Sequence, residues 1–166
     1  MTVLVTAASE QGATGEIAAR IGADLAERGF EVDVRAPDEV HDLAQYEAFV
    51  VGSAVYLGHW LKAARSFVDT HADELAQRPT WLFSSGPIVG DPPRPGPDDG
   101  RAGNALAETA HAREHKVFAG KLDKSALSWC EKVAVRAAHA REGDYRDWDA
   151  VDDWAAGIAQ ELTRVG

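Results

Sequence analysis

The sequence is poor in sulfur-containing residues and has no long apolar segment. Its single cysteine, Cys130, excludes an internal disulfide and a cysteine-ligated metal cluster. Because Cys130 lies in the apolar pattern of a predicted helix, we expect it to pack in the core. No apolar run approaches the roughly 20 residues that span a bilayer, so we expect no transmembrane helix. The first residues show neither a basic segment nor a small-residue cleavage site, and we therefore expect a cytoplasmic protein.

Basic residues are also scarce. The 166 residues include 17 Lys and Arg against 27 Asp and Glu, which gives a formal net charge of −10 at pH 7. This charge repels phosphates and argues against nucleic acid and anionic lipid as partners, although Arg113–Lys124 forms a locally basic stretch. No spacing of His, Cys and acidic residues indicates a metal site. The serines do not form the Gly-x-Ser-x-Gly motif of serine hydrolases.

Apolar strands alternate with amphipathic helices along the chain. The predicted strands are Val3–Val5, Phe30–Val34, Ala48–Gly52, Thr80–Ser84 and Val117–Gly120. The predicted helices are residues 14–28, Leu61–Gln77, Ala126–His139 and Ala150–Arg164. This alternation predicts one α/β domain over residues 1–166, with helices on both faces of a parallel sheet. Val89–His115 does not fit the repeat, and we expect an exposed loop there followed by a short helix at Ala105–Arg113.

Ligands of an open α/β sheet bind beyond the carboxyl ends of its strands, and three predicted loops leave such ends. The first is Ala8–Gly15, which opens directly into a helix. Unpaired N–H groups at a helix N-terminus attract an anion, Ser9 and Thr14 add hydroxyl donors, and Gly12 allows close approach. The loop lacks the lysine of a Walker motif. It therefore suits a single phosphate monoester, or else it is an ordinary turn with Thr14 as the helix N-cap.

The second predicted loop, Ser53–His59, carries aromatic residues. Tyr56 and the nearby Trp60 are placed either to cover a flat ring or to cap the core. Backbone groups of Ser53–Leu57 can meet the heteroatoms of such a ring. His59 is either a proton donor to a substrate or a surface residue.

The third predicted loop, Ser84–Gly90, is small and polar. Gly86 allows a positive φ or a close approach, and the two serines can bond a polar ring edge. An ordinary turn explains the same residues equally well.

These segments together resemble a known family. Ala8–Thr14 resembles the phosphate loop of flavodoxins, a Thr/Ser-x-x-Gly-x-Thr pattern after the first strand. The closer resemblance is to the flavodoxin-like branch that contains the menaquinone-dependent protoporphyrinogen dehydrogenases. The other segments that carry the resemblance are Val50–Trp60, Phe83–Pro87, Val117–Asp123 and Gly143–Asp149. It spans nearly the whole chain, and the first loop is its most specific motif.

The resemblance implies a flavodoxin-like three-layer sandwich with a five-stranded parallel sheet in the order 2-1-3-4-5, a long insertion after the fourth strand, and one noncovalent FMN. The residues that would hold the phosphate are Ser9, Gln11, Gly12, Ala13 and Thr14. The residues that would flank the isoalloxazine are Ser53, Ala54, Val55, Tyr56, Leu57, Gly58, Ser84, Ser85, Gly86, Pro87 and Val89. Because the flavin carries the redox chemistry, no catalytic side chain is expected.

Two functions follow from this resemblance. In an oxidoreductase, the insertion beside the flavin would bind or admit a porphyrinogen donor or a quinone acceptor. In a flavodoxin-type electron carrier, the acidic surface would dock redox proteins. A homodimer is compatible with both. A response-regulator receiver is excluded, because Thr6–Ser9 stands where that fold has an acidic cluster.

Overall fold

The structure is a computed structural model, and it describes residues 1–10, 12–56, 58–86, 88–89, 94–95, 99–122, 143–144 and 146–165. Three of the expected cofactor-binding residues, Gln11, Leu57 and Pro87, lie outside the described residues. The predicted helix Ala126–His139, which contains Cys130, also lies outside them.

The described residues form short strands and amphipathic helices in alternation. The strands are β1 (Thr2–Ala8), β2 (Glu31–Arg35), β3 (Ala48–Tyr56), β4 (His59–Trp60), β5 (Thr80–Ser85), β6 (Ile88–Val89), β7 (Arg94–Pro95), β8 (Glu114–Phe118), β9 (Lys121–Leu122) and β10 (Gly143–Asp144). The helices are α1 (Ala13–Glu27), α2 (Lys62–Thr70), α3 (Ala72–Gln77), α4 (Asp99–Ala110) and α5 (Trp148–Val165), with a 3-10 turn at Pro37–Glu39. Within the described ranges, no helix is long and apolar enough to cross a membrane.

Five strands form one parallel sheet in the order β2-β1-β3-β5-β8. Numbered in chain order, these five strands run 2-1-3-4-5, so the expected sheet order is confirmed. β4 adds a short antiparallel strand beside β3. Because the chain places β2 on one side of β1 and β3 on the other, the order switches between β1 and β3. Ligands of such sheets bind at this switch point, beyond the carboxyl ends of the strands.

Both faces of the sheet are covered by helices. Val3 and Val5 of β1 point to the face that packs against α1 and α5. Leu4 and Ala8 point to the opposite face, which packs against α2, α3 and α4. Successive side chains of a strand alternate between faces, and burial on both faces explains why the central strands are apolar throughout.

An aromatic cluster supports the sheet on the α5 side. The rings of Phe83, Phe118 and Trp154 meet edge to face, with centroids 5.5–6.0 Å apart. Phe83 lies across Gly52 of the neighbouring strand, where an added Cβ would come within 2.2 Å of the ring. A glycine is therefore required at position 52 for β3 and β5 to keep this packing.

β1 and β3 extend beyond the predicted strands. The pairing of β3 with β1 and β5 continues past Gly52 to Ser53 and Ala54, and β3 ends at Tyr56. Ser53–Tyr56 therefore belongs to a strand and not to the predicted loop. The hydrogen bonds of two neighbouring strands favour extended backbone over a free loop here.

The predicted helix Leu61–Gln77 is divided into α2 and α3. The division lies at His71, whose φ of −107° and ψ of 20° depart from helical values. The His71 imidazole bonds Glu74 at 3.2 Å, and the His71 carbonyl oxygen accepts from the Leu75 N–H at 2.9 Å. The backbone of His71 therefore ends α2 and begins α3, and its side-chain bond links this junction to the first turn of α3.

The described parts of Val89–His115 are more regular than predicted. α4 begins at Asp99, before the predicted start at Ala105, and β8 begins at Glu114. Burial of Ala110 against the sheet stabilises this helix, although its sequence is rich in glycine and polar residues. The last helix, α5, agrees with the predicted Ala150–Arg164 to within two residues.

Candidate active site

The carboxyl ends of four strands line up in one row. Ala8 of β1 pairs with Ser53 of β3, Ser53 with Ser84 of β5, and Ser84 with Val117 of β8. The chain segments that follow these four residues emerge side by side, and we call this border of the sheet the carboxyl edge. All three segments predicted to bind a ligand begin at or just after the row. The pairing register thus brings them together at the switch point.

The first segment forms an open helix N-terminus. Gly12 occupies the N-cap position in the left-handed conformation, with φ 84° and ψ −13°, and no side chain caps the helix. A Cβ at Gly12 would meet nothing within 4 Å, so the backbone is open to an approaching group. Thr14 lies inside the first turn and is 2% exposed. The alternative interpretation, with Thr14 as the N-cap, is therefore wrong.

The first turn of α1 presents N–H groups that can bind an anion. The first helical hydrogen bond runs from the Glu16 N–H to the Gly12 carbonyl oxygen at 2.9 Å. The preceding amides, those of Ala13, Thr14 and Gly15, have no acceptor within the helix. Their direction and the helix dipole both favour a negative charge beyond Gly12.

A buried arginine lies beside this first turn. The side chain of Arg146 is 5% exposed and donates to the Ala13 carbonyl oxygen at 3.3 Å. It also pairs with Glu16 and with Asp144, and it lies 4.7 Å from the centre of the Trp148 ring. The hydrogen bond to Asp144 raises the pKa of Arg146 above its ordinary value. Sequence reasoning did not identify Arg146, because its partners on α1 are distant along the chain.

The second segment is a tight hairpin. Tyr56 pairs with His59 and Val55 with Trp60, while Gly58 adopts a φ of 78° at the turn. Two-residue hairpin turns require a positive φ, which glycine supplies without strain. Tyr56 is half-buried and His59 is exposed.

The hydroxyl of Ser53 holds the end of this hairpin. It donates to the Ala54 carbonyl oxygen at 2.8 Å and accepts from the Leu61 N–H at 3.0 Å. This hydroxyl is fully buried and is used within the protein. Because Ser53 as a whole is 0% exposed, its contact with a ligand stays a prediction from the resemblance.

The third segment approaches the end of β8 closely. Gly86 has a φ of 66°, and its N–H donates to the Phe118 carbonyl oxygen at 3.0 Å. An added Cβ at Gly120 would lie 3.2 Å from both the Gly86 nitrogen and the Ser85 hydroxyl. Sequence reasoning identified Gly86 but missed Gly120, whose close neighbour is supplied by another strand. Of Val89 the structure describes the backbone, in β6.

Ser84 is the centre of a hydrogen-bond network beneath the carboxyl edge. Its Oγ accepts from Trp60 Nε1 at 2.8 Å and lies 2.7 Å from His115 Nε2. His115 Nδ1 lies 3.0 Å from Asn104 Oδ1. Burial lowers the pKa of His115, so the imidazole is neutral near pH 7. Trp60 is 1% exposed and packs in the core, in line with one of its two interpretations from the sequence.

The remaining expectations concern metals and other histidines. Among the described residues, no group of His, Cys, Asp and Glu is arranged to hold a metal ion. His111 is exposed at the end of α4, with a φ of 50°.

The neutral state of His115 predicts a pH-dependent stability. The pKa of His115 is lower in the folded chain than the 6.5 of a free histidine, so the unfolded chain binds a proton first as the pH falls. We expect the unfolding free energy of the wild type, relative to His115→Gln, to be constant above pH ~7.5. It should decrease as the pH falls through ~6.5, where an unfolded histidine titrates. Denaturant unfolding of both proteins at several pH values measures this, and parallel curves would contradict a depressed pKa.

Comparison with known proteins agrees with this geometry. The protoporphyrinogen IX dehydrogenase (quinone) of Escherichia coli strain K12 is 24% identical over 172 residues, which cover 96% of this chain and 95% of the relative. A flavodoxin from the domain Archaea superposes with a TM-score of 0.68 at 17% identity, covering 98% of this chain and 99% of the other. Oxidised flavodoxin 1 from Bacillus cereus has a TM-score of 0.67 at 17% identity, over 96% and 98% of the two chains. The family model of the flavodoxin domain matches residues 4–149. The chain therefore belongs to the flavodoxin domain family.

Proposed function

We propose that this chain is an FMN-dependent oxidoreductase whose carboxyl edge binds one FMN. The observation that carries the proposal is the row of paired strand ends. It joins an uncapped helix N-terminus to two tight, glycine-containing turns. A phosphate site next to a place for a flat ring is what one FMN requires. Membership in the flavodoxin domain family supports the same cofactor.

The phosphate would lie at the start of α1. The amides of Ala13, Thr14 and Gly15, with the hydroxyls of Ser9 and Thr14, are its expected donors. A hydrogen bond to a charged group contributes about 1.5–3 kcal/mol, whereas the helix dipole contributes about 0.3–1 kcal/mol. Directed amides therefore dominate, and affinity should depend on the backbone conformation at Gly12. Gln11 stays a proposed ligand of the phosphate from the family pattern.

The ring would lie between the ends of β3 and β5. The half-buried Tyr56 and the turn at Gly58 form one side, and Ser85 and Gly86 form the other. When bound, the isoalloxazine accepts electrons from a donor and passes them to an acceptor. The protein's own residues hold the ring at the edge of the sheet and limit the approach of water.

The redox partners are proposed from the relative of similar length. The relative is named for protoporphyrinogen IX and quinone, and its alignment covers nearly all of both chains. We propose the same class of reaction here, with a porphyrinogen as donor and a quinone as acceptor. A second candidate, an electron carrier to protein partners, is favoured by the net charge of −10, which suits docking to basic proteins.

Substitution at Gly12 tests the phosphate site. An alanine disfavours the left-handed conformation by about 1–2 kcal/mol, so the loop of Gly12→Ala apoprotein should relax away from it, and restoring the conformation on binding should weaken FMN binding ~10-fold. Gly29→Ala is the matched control, because Gly29 has a φ of 97° with nothing within 4 Å of an added Cβ, and it lies at the other end of α1. Titration of apoprotein with FMN, followed by flavin fluorescence, measures both affinities.

The control separates ligand binding from stability. Gly29→Ala should lower the unfolding free energy by about 1–2 kcal/mol, yet leave FMN affinity unchanged. A wild-type protein that takes up no added FMN would exclude the proposed function. Equal loss of affinity in both variants would exclude the proposed phosphate site.

The redox partners can be separated by two anaerobic reactions. We expect protoporphyrinogen to reduce the bound flavin and a menaquinone analogue to reoxidise it. Stopped-flow absorbance of the flavin follows both half-reactions. Inertness to both reagents, together with fast electron exchange with a basic redox protein that slows as salt increases, would instead identify an electron carrier.

A further inference from the structure

The Trp60–Ser84–His115–Asn104 network has a defined direction. The indole N–H of Trp60 can only donate, so the Ser84 oxygen accepts this bond at 2.8 Å. With its proton on Nδ1, His115 donates to Asn104 Oδ1 at 3.0 Å. Its Nε2 then accepts the hydroxyl proton of Ser84 over 2.7 Å. Neutral His115 in this tautomer satisfies every bond of the network, in agreement with its lowered pKa.

The fold provides a close-fitting space for the imidazole ring. Gly103 of α4 faces the ring so closely that an added Cβ would lie 2.2 Å from His115 Nε2. The Trp60 ring lies on another side, with centroids 6.4 Å apart. Because α4, β4 and β5 all contact the imidazole, its position is set by packing as well as by hydrogen bonds.

This network lies directly below the proposed ring site. Ser84 belongs to the row at the carboxyl edge, one residue before the end of β5. Trp60 pairs with Val55 and so forms the second strand of the hairpin that carries Tyr56 and Gly58. The bond between Trp60 and Ser84 therefore joins the two sides of the ring site, and His115 orients the hydroxyl that accepts it.

We propose that His115 is a positioning residue for the flavin. It holds the Ser84 hydroxyl, which in turn holds the Trp60 indole. In this way the β3–β4 hairpin and the end of β5 keep the spacing that the ring requires. The proposal rests on the proposed function. His115 is not expected to contact the flavin or the substrate. Its role is to fix the relative position of the two segments that do.

Two amide substitutions at this position separate hydrogen bonding from bulk. The terminal amide of glutamine reaches the place of Nε2 and can bond Ser84, whereas the amide of asparagine reaches the place of Nδ1 and can bond Asn104 alone. His115→Asn should weaken FMN binding ~10-fold and shift both the visible flavin spectrum and the two-electron midpoint potential. His115→Gln should restore all three to near wild type. His111→Asn, at the exposed histidine that precedes β8, is the control for an unrelated His-to-Asn change.

A measurement without FMN tests the network itself. In apoprotein labelled with 15N, the indole N–H of Trp60, assigned with Trp60→Phe, should exchange with solvent slowly in the wild type and His115→Gln. In His115→Asn it should exchange ~10-fold faster, because opening of the hairpin is no longer opposed by the oriented hydroxyl.

The outcomes are distinct. A wild type that binds no FMN overturns the proposed function, and the indole measurement still decides whether His115 holds Trp60. If FMN binds but His115→Asn and His115→Gln lose affinity equally, His115 acts by packing alone and the positioning role is overturned. Unchanged FMN affinity, spectrum and potential in His115→Asn also overturn it. Rescue by glutamine but not by asparagine supports it.

Discussion

Parallel pairing of β1, β3, β5 and β8 in one register is the constraint on which both the core and the site depend. A slip of one residue between β3 and β5 would place a residue larger than glycine opposite Phe83, so the close contact of Gly52 with the Phe83 ring fixes this pairing. The same register aligns Ala8, Ser53, Ser84 and Val117. Hydrophobic packing in the interior thus determines which loops meet at the carboxyl edge, and the Ser84 network then fixes their spacing.

The positive charge of Arg146 is compensated within the protein. Arg146, the guanidinium beside the first turn of α1, is paired with Asp144 and Glu16 and contributes to holding that turn. The proposed phosphate site is consequently made of oriented amides and hydroxyls. The affinity of such a site for phosphate should vary less with salt concentration than that of a site built from lysines. It should depend strongly on the backbone conformation at Gly12. A side chain that capped α1 would occupy the amides that the proposed phosphate needs. The left-handed Gly12 at the N-cap leaves these amides uncapped by a side chain.

Local sequence patterns predicted the elements well but not the contacts between them. The apolar strands and the first loop follow from periodicity and from glycine placement, and the sheet order came from the family resemblance. Ser53–Tyr56 has the composition of a loop, and its extension as a strand depends on pairing with β1 and β5. His115 and Ser84 are 31 residues apart, and Arg146 and Glu16 are 130 apart, so no local pattern could reveal either contact. The binding residues outside the described ranges remain predictions from the sequence.

The central claim is that three strand ends form one ligand site, and amide chemical shifts recorded during an FMN titration test it most directly. FMN added to 15N-labelled apoprotein should perturb three groups of amides together: residues 12–15, 54–58 and 85–86. All three groups should saturate at the same FMN concentration and at about one FMN per chain. Perturbation limited to the start of α1 would reduce the site to an anion site, and shifts at the opposite border of the sheet would contradict the account.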